Sequence, residues 1–238
     1  MARPRRACTG FRTSYRANCT RERSRVEGPR ITGAAVPNFP AIDMTQPASL
    51  RLIAHAPTRA MRIGAFPADD PLDARGLAAA AALRERFAGA PGAIVLCSPA
   101  PCARQTADAL GLHAAIDDAL RDVDYGHWHG KRLHDLARDL PDELGAWLDD
   151  PSASPHGGES FEDVARRVGA WLSALPCNRD IVAITHAAIV RAAIAHVRRM
   201  DAKAATRIDV APLSCTIFAA SGDGWTSITD DVRRDADA

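Results

Sequence analysis

Two histidines stand at equivalent places in this sequence, each at the end of a short apolar run. His55 follows residues 50–54 and His186 follows residues 181–185, and an alanine comes directly after each histidine. A single histidine at such a place is usually a structural group, but two of them beside small residues indicate a cleft where a ligand reaches the backbone. If a helix begins after His186, its first backbone N–H groups favour an anion there.

The two runs belong to an alternating pattern of strands and helices. Such alternation predicts an α/β fold, a three-layer α/β/α sandwich with a mainly parallel central sheet. The predicted strands cover residues 50–54, 93–97, 180–185, 214–219 and 225–229, with an extended segment over 114–120. The predicted helices cover residues 73–87, 102–110, 160–175 and 187–199, with one or two short helices over 131–148. Ligands of such sheets bind at the carboxyl ends of the strands, where both histidines lie.

The spacing of cysteines and histidines predicts no metal site. The chain has six cysteines, and none forms a Cys-x-x-Cys pair. His127, His129 and His134 with Asp135 suggest metal binding by composition, but their spacing matches no established site and we interpret them as surface residues. Cys102 has two interpretations, a reactive thiol in the cleft or a small packed residue, and the second is favoured because no fixed base accompanies it.

Composition and charge exclude several classes of protein. The chain has 238 residues, with 30 basic side chains against 29 acidic ones, and 47% of its residues are apolar. Proteins that coat nucleic acid are usually strongly basic, so no nucleic-acid partner is expected. The sequence has no run of about 18 consecutive apolar residues, so no membrane span is predicted. Without a secretory signal, the cysteines indicate a reduced, cytoplasmic protein.

The first 43 residues differ in composition from the rest. Residues 1–43 hold nine arginines against three acidic side chains and lack hydrophobic periodicity, so we expect a disordered, Arg-rich tail. A transit peptide and a nucleic-acid-binding arm fit this composition as well. The favoured interpretations are an inert tail or a true start at Met44. Residues 49–230 are predicted to form one domain, followed by a polar tail over 231–238.

Six short motifs occur in the order found in one known family. They are Ala54-His55-Ala56-Pro57-Thr58, Asp69-Asp70-Pro71-Leu72 with Gly76, Ser98-Pro99 with Arg104-Gln105-Thr106-Ala107, Leu120-Arg121-Asp122 with Gly126-His127-Trp128-His129-Gly130, Gly157-Gly158-Glu159-Ser160, and Thr185-His186-Ala187. Through these motifs the chain resembles the histidine phosphatase superfamily, the phosphoglycerate mutase-like proteins. The resemblance runs from about Leu50 to Ala219.

The resemblance implies a role for three residues. His55 takes the place of the histidine that attacks a phosphoryl group and becomes a phosphohistidine. His186 takes the place of the second histidine, which faces the phosphate. Asp122 takes the place of the acid that protonates the leaving oxygen, and it is one methylene shorter than the usual glutamate. This chemistry requires no metal and no cofactor, because a neutral imidazole is nucleophilic near pH 7.

The departures from the family pattern affect the phosphate pocket. The two family arginines that hold the phosphate fall on Ala54 and Cys102, and the glycine after the nucleophile is Ala56. Both guanidinium groups that would bind phosphate bidentately are therefore missing. Loss of one preorganised donor commonly costs about 10²–10³ in rate, so loss of two without replacement approaches about 10⁴–10⁶.

Other residues near His55 are candidates for substrate binding. Arg59 and Arg62 follow His55 in the next loop and could compensate for the missing arginines, although a solvated loop is an equally good interpretation. Thr58 and Ala187 complete the predicted substrate-binding set. The catalytic interpretation requires that the two imidazoles meet over one cavity and that a positive charge lies near it.

Two functions from different classes fit these observations. The first is a histidine phosphatase that acts on a small phosphorylated metabolite with an altered pocket. Its support is the retention of His55, His186 and Asp122. The second is a non-catalytic pseudophosphatase that binds a ligand or a protein partner through the degenerate cleft, and its support is Ala54 and Cys102. A mutase is weaker, because it must hold a second phosphate. The sequence leaves the oligomeric state open, with a homodimer among the alternatives.

Overall fold

The computed structural model describes residues 48–87, 92–222 and 224–228. The predicted tails, residues 1–43 and 231–238, lie outside the described residues. Among the residues that are described, no helix is both long and apolar enough to span a bilayer.

Six strands form one sheet in the order β3-β2-β4-β1-β5-β6. β1, β2, β3 and β4 pair in parallel, and β5 and β6 continue the sheet as antiparallel strands, so the predicted mainly parallel sheet is confirmed. The strands are β1 (Ser49–Ala54), β2 (Ile94–Cys97), β3 (Ala115–Ile116), β4 (Ile181–Thr185), β5 (Cys215–Ser221) and β6 (Gly224–Ser227).

The helices lie between these strands along the chain. They are α1 (Arg59–Arg62), α2 (Ala74–Ala81), α3 (Arg84–Phe87), α4 (Pro101–Leu110), α5 (Leu133–Asp139), α6 (Pro141–Asp149), α7 (Phe161–Ala174), α8 (Ala187–Arg198) and α9 (Ala202–Thr206). Two short 3₁₀ helices cover Asp118–Leu120 and Gly126–Trp128.

Alternate residues of the central strands pack against opposite layers of helices, because successive side chains of a strand point to opposite faces. Leu52 and Ala183 belong to the larger core with α7, α8 and α9. Ile53 and Ile184 belong to a second core with α3 and α4. Their side chains are completely buried. Helices therefore cover both faces of the sheet, and the predicted three-layer α/β/α sandwich is confirmed.

Local sequence signals account for where several helices begin and end. The Asp73 side chain accepts hydrogen bonds from two backbone N–H groups at the start of α2. Ser160 and Asp163 form a reciprocal capping box at the start of α7. Gly111 ends α4 with a φ of 76°, a left-handed conformation that glycine adopts without a steric penalty.

Two predicted segments differ in detail. The single helix expected over residues 73–87 is two helices, α2 and α3, and the break lets Leu83 and Phe87 pack into the second core. The extended segment expected over 114–120 is a two-residue strand followed by a 3₁₀ turn. The Asp117 side chain caps this turn, because it accepts a hydrogen bond from the backbone N–H of Ala119.

Candidate active site

The pairing of β1 with β4 brings the two histidines together. The strands are parallel neighbours with Ala54 opposite Thr185, so the next residue on each strand leaves the sheet at the same edge. The His55 N–H donates to the Thr185 carbonyl at 2.8 Å. The ring centroids of His55 and His186 lie 5.1 Å apart at an interplanar angle of 64°. The predicted meeting of the two imidazoles is thus present in the structure.

The ring of His55 is held in one tautomer. Its Nδ1 lies 2.7 Å from the Ala56 carbonyl oxygen, which can only accept, so Nδ1 carries the proton and Nε2 keeps the lone pair. Burial lowers the pKa of His55, and the neighbouring His186 lowers it further, against smaller opposite effects of the Ala56 carbonyl and Asp122. His55 is therefore a neutral imidazole near pH 7, with a nucleophilic nitrogen available.

His186 is buried between a hydroxyl and a carboxylate. Its Nε2 lies 2.8 Å from the Ser98 hydroxyl. Its Nδ1 lies 3.2 Å from Asp122 Oδ2, close enough for an ion pair but not directed for a well-formed hydrogen bond. Ser98 comes directly after β2, so three parallel strands contribute to this site.

The charge on Asp122 is set by opposing effects. Burial alone raises the pKa of this carboxyl group. The nearby His186, the backbone N–H of Val123 and His55 lower the pKa by more, so it lies below its ordinary value. Without a ligand, Asp122 is a carboxylate near pH 7, and 19% of its side chain is exposed.

The loop that carries Asp122 is fixed by a partly buried ion pair. Arg167 donates from Nε and Nη2 to the two carboxylate oxygens of Glu159, at 3.0 and 2.8 Å. The Arg167 Nη1 also donates to the backbone carbonyl oxygens of Ala119 and Arg121. These contacts hold the backbone that leads into Asp122 and limit where its carboxylate can lie.

A small cavity of about 50 Å³ lies over the two histidines. Of the described residues, no arginine or lysine lines it, whereas three carboxylic acids do. The lining residues are His55, Thr58, Ala60, Met61, Ala65, Pro67, Asp69, Asp70, Ala100, Cys102, Asp122 and His186. The required positive side chain is thus missing from the described lining, and the charge balance of this cavity is negative.

The structure does not bring Arg59 and Arg62 into this cavity. Arg62 forms an ion pair with Asp73, which also caps α2, and the Arg59 side chain is exposed on α1. Thr58 does line the cavity, and it caps α1 by accepting the Met61 N–H. Ala187 begins α8 beside His186 but is not a lining residue.

Cys102 contributes a buried thiol to the same cavity. Burial, with a smaller effect of Asp122, raises its pKa to about 12, so the free side chain is a thiol and not a nucleophilic thiolate. One donor atom each of His55, Cys102 and His186 lies within 4.8 Å of the other two. These three side chains are the group in this cavity that could hold a metal ion.

The beginnings of α4 and α8 supply positive potential at this edge of the sheet. No side chain caps the first turn of either helix, at Ala100 or at His186. The first N–H groups of a helix carry a partial positive charge equivalent to about half an elementary charge. Ala100 and His186, the residues just before α4 and α8, both line the cavity, so both helix beginnings lie near it.

Sequence reasoning missed two residues that support the site. Ser98 orients His186, and Thr106 accepts the backbone N–H of Ala56 at 3.0 Å while donating to the Cys102 carbonyl at 2.7 Å. Ser98 belongs to the Ser-Pro motif and Thr106 to the Gln-Thr-Ala motif, so the motifs were the sequence signal that could have identified them.

A larger cavity of about 350 Å³ is lined in part by Val123 and Tyr125, which follow Asp122 in the chain. Aromatic and basic side chains line it, among them Tyr125, Trp147, Phe161 and Arg191. Neither histidine lines it, so the smaller cavity is the candidate active site. Arg191 nevertheless interacts electrostatically with Asp122.

Comparisons with known proteins agree with the geometry. Two curated relatives from Mycobacterium tuberculosis match parts of the chain. A bifunctional protein is 42% identical over 80 residues, which is 32% of this chain and 22% of the relative. A glucosyl-3-phosphoglycerate phosphatase is 31% identical over 93 residues, which is 34% of this chain and 42% of the relative. The matches therefore span less than half the length of either relative.

A solved structure is similar over most of the described fold. The alpha-ribazole phosphatase from Shigella flexneri superposes with a TM-score of 0.68 at 25% identity, covering 75% of this chain and 94% of that one. The family model for the histidine phosphatase superfamily, branch 1, matches residues 50–230. From the matched range and the paired histidines at the sheet edge, we conclude that this chain belongs to the histidine phosphatase superfamily.

Proposed function

We propose that this chain is a phosphatase that removes phosphate from a small phosphorylated metabolite through a phosphohistidine at His55. The observation that carries this proposal is the state of the His55 ring. Its Nδ1 is committed to the Ala56 carbonyl, its Nε2 keeps the lone pair, and His186 lies 5.1 Å away between ring centroids. An imidazole used only for packing would not need this arrangement.

The proposed reaction has two steps. The Nε2 of His55 attacks phosphorus, the bond from phosphorus to the ester oxygen breaks, and the leaving oxygen takes a proton from Asp122. A water oxygen then attacks phosphorus while its proton passes to Asp122, and the bond from phosphorus to Nε2 breaks, which releases inorganic phosphate and restores neutral His55. Asp122 is a carboxylate without substrate, but a phosphate dianion beside it raises its pKa because two negative charges repel.

The missing arginines make a slow enzyme. The phosphate oxygens would be met by His186 and by the N–H groups that begin α4 and α8, without a guanidinium from the described lining residues. If each missing arginine costs about 10²–10³ in rate, turnover falls well below that of a phosphatase with both.

The names of the similar proteins support a small phosphorylated substrate. One is called a glucosyl-3-phosphoglycerate phosphatase and another an alpha-ribazole phosphatase. Both names describe release of phosphate from a metabolite. We therefore propose a phosphomonoester of metabolite size as the substrate class, and no nucleic acid.

The charge of the cavity favours a second candidate, a non-catalytic protein that binds a ligand or a partner through the same cleft. Asp69, Asp70 and Asp122 line the cavity, and no described lysine or arginine lines it. Three carboxylates oppose a phosphate dianion, and a chain that no longer binds phosphate would tolerate them.

A turnover assay separates the two candidates. In the presence of a chelator, the full chain is incubated with p-nitrophenyl phosphate and a panel of phosphoserine, sugar phosphates and nucleoside phosphates, beside the variant His55→Ala. The variant His113→Ala is the matched control, since His113 is exposed and does not line the cavity. Phosphate release that is lost only in His55→Ala supports the phosphatase. No release from any substrate, or release unchanged in His55→Ala, refutes it and leaves the binding protein.

A further inference from the structure

Three metal-binding side chains converge in the candidate active site, although they are far apart in the sequence. His55 follows β1, Cys102 lies in the first turn of α4, and His186 follows β4. One donor atom of each lies within 4.8 Å of the other two. Cys102 and His186 are buried, with 6% and 3% of their surfaces exposed.

The charge around this group suits a cation better than an anion. Asp69, Asp70 and Asp122 line the cavity, and none of the described arginines or lysines does. A cation placed there would be attracted by three carboxylates. A phosphate would be repelled by them, so the side-chain charges that distinguish this cavity point toward a metal ion.

The donor set selects the type of metal. Two imidazole nitrogens and one thiolate sulfur are preferred ligands of Zn²⁺, whereas Mg²⁺ and Ca²⁺ prefer oxygen. Bond lengths of about 2.0–2.3 Å place the donors of a tetrahedral zinc site about 3.3–3.6 Å apart. Side-chain movements of about 1 Å would therefore bring this group to zinc geometry.

Supporting contacts for the ligands are already in place. The Nδ1–H of His55 donates to the Ala56 carbonyl, which leaves Nε2 for a metal. The Nδ1 of His186 is buried without a well-formed hydrogen bond, and its Nε2 is held by Ser98. Bonds from the second ring nitrogen to a carbonyl or hydroxyl orient histidine ligands in metal sites.

We propose that His55, Cys102 and His186 bind one zinc-type divalent cation, with the fourth coordination position open to the cavity. On binding, the Cys102 thiol gives its proton to solvent and the sulfur forms the bond to the metal. Asp122 stays beside His186 and balances part of the added charge. The site does not depend on the proposed phosphatase activity. It competes with that activity, because a metal on Nε2 of His55 occupies the lone pair that would attack phosphorus.

Direct metal binding tests the proposal without any substrate. The full chain, reduced and freed of metal by a chelator, is titrated with Zn²⁺ by calorimetry and with Co²⁺ by absorption spectroscopy. We expect one tight equivalent, and a cobalt spectrum with both tetrahedral d–d bands and a thiolate-to-cobalt charge-transfer band. In Cys102→Ala the charge-transfer band should vanish and the metal affinity should fall at least about 100-fold. Loss of a residue that only hydrogen-bonds to a metal ligand costs up to about 100-fold, and loss of a ligand itself should cost no less.

A matched control uses another thiol of the chain. Cys177 is exposed and lies outside the cavity, so Cys177→Ala should retain the band and the affinity. No tight equivalent in the parent, or a band that persists in Cys102→Ala, overturns the proposal. If Cys102→Ala does not fold, zinc X-ray absorption of the parent decides. One sulfur with two imidazole nitrogens supports the site, and a shell without sulfur overturns it. Phosphatase failure of the metal-free chain refutes only the proposed function, and failure to bind zinc in a chain that releases phosphate refutes only the metal site.

Discussion

The substitution Cys102→Arg should convert this cavity toward a phosphate site. Cys102 lines the cavity with His55 and His186, and the motif resemblance predicts that a phosphate-binding arginine of the family falls at this position. The new guanidinium would bind two phosphate oxygens at once. Ala54, where the motif resemblance predicts the other family arginine, is a poorer choice because it is 3% exposed within β1 and a charge there would be buried in the core.

The expected gain follows from the charges around the new side chain. One preorganised donor is commonly worth about 10²–10³ in rate. Asp69, Asp70 and Asp122 line the same cavity and would compete for the guanidinium, so we expect a gain in kcat/KM near the lower end, about 10². The cavity is only about 50 Å³, so the longer side chain should also destabilise the fold, by about 1–3 kcal/mol.

The assay compares kcat/KM for p-nitrophenyl phosphate in the parent, Cys102→Arg and Cys102→Met, all in the presence of a chelator. Met also lengthens the side chain but carries no charge, so it separates electrostatics from the effect of filling the cavity. An equal gain in Cys102→Met, or no gain in a folded Cys102→Arg, would refute the reasoning that lost positive charge limits this site.

Three further predictions address the supports of the site and the fold. Ser98→Ala removes the hydroxyl that lies 2.8 Å from His186 Nε2. Steady-state kinetics should show a kcat about tenfold lower with KM little changed, because one hydrogen bond is worth about 1–1.5 kcal/mol. An unchanged kcat would contradict this role of Ser98. Gly158→Ala places a Cβ in a clash with the backbone carbonyl oxygen of Asp124 and should lower Tm sharply, whereas Gly145→Ala, with open space in α6, should leave Tm unchanged or raise it. Hydrogen bonds in the α7 capping box lower the pKa of Asp163 to about 2. The stability that Asp163 contributes is therefore complete above its ordinary pKa and is lost as the pH falls from about 4 to about 2. In acid unfolding followed by circular dichroism, the Asp163→Asn variant should lack this loss of stability between about pH 4 and about pH 2.

Periodicity and turn chemistry predicted most of the fold. The apolar runs over residues 50–54 and 181–185 are β1 and β4, and the amphipathic segment over 160–175 is α7, within one residue of its ends. The break between α2 and α3 was not predictable, because the alanine-rich segment before Leu83 has no side-chain pattern that distinguishes one helix from two. Packing of Leu83 and Phe87 against the second core decides it.

The site was predictable where chemistry follows strand ends and not where it depends on packing. The meeting of His55 and His186 follows from parallel strands whose carboxyl ends share one edge. The position of the Arg62 side chain could not be predicted in this way, because its ion pair with Asp73 depends on how α1 and α2 pack together. The grouping of Cys102 with the two histidines also depends on the fold, since linear spacing gives no sign of it.

The central claim is that Nε2 of His55 accepts the phosphoryl group. The most direct test is a rapid-quench experiment on the metal-free full chain, with a phosphomonoester that the chain hydrolyses. The quenched protein is then examined under alkaline conditions by mass spectrometry of the intact chain and of its peptides. We predict one added phosphoryl group, located on His55 and absent from His55→Ala. Steady turnover with no phosphohistidine, or with the phosphoryl group on another residue, would contradict the account.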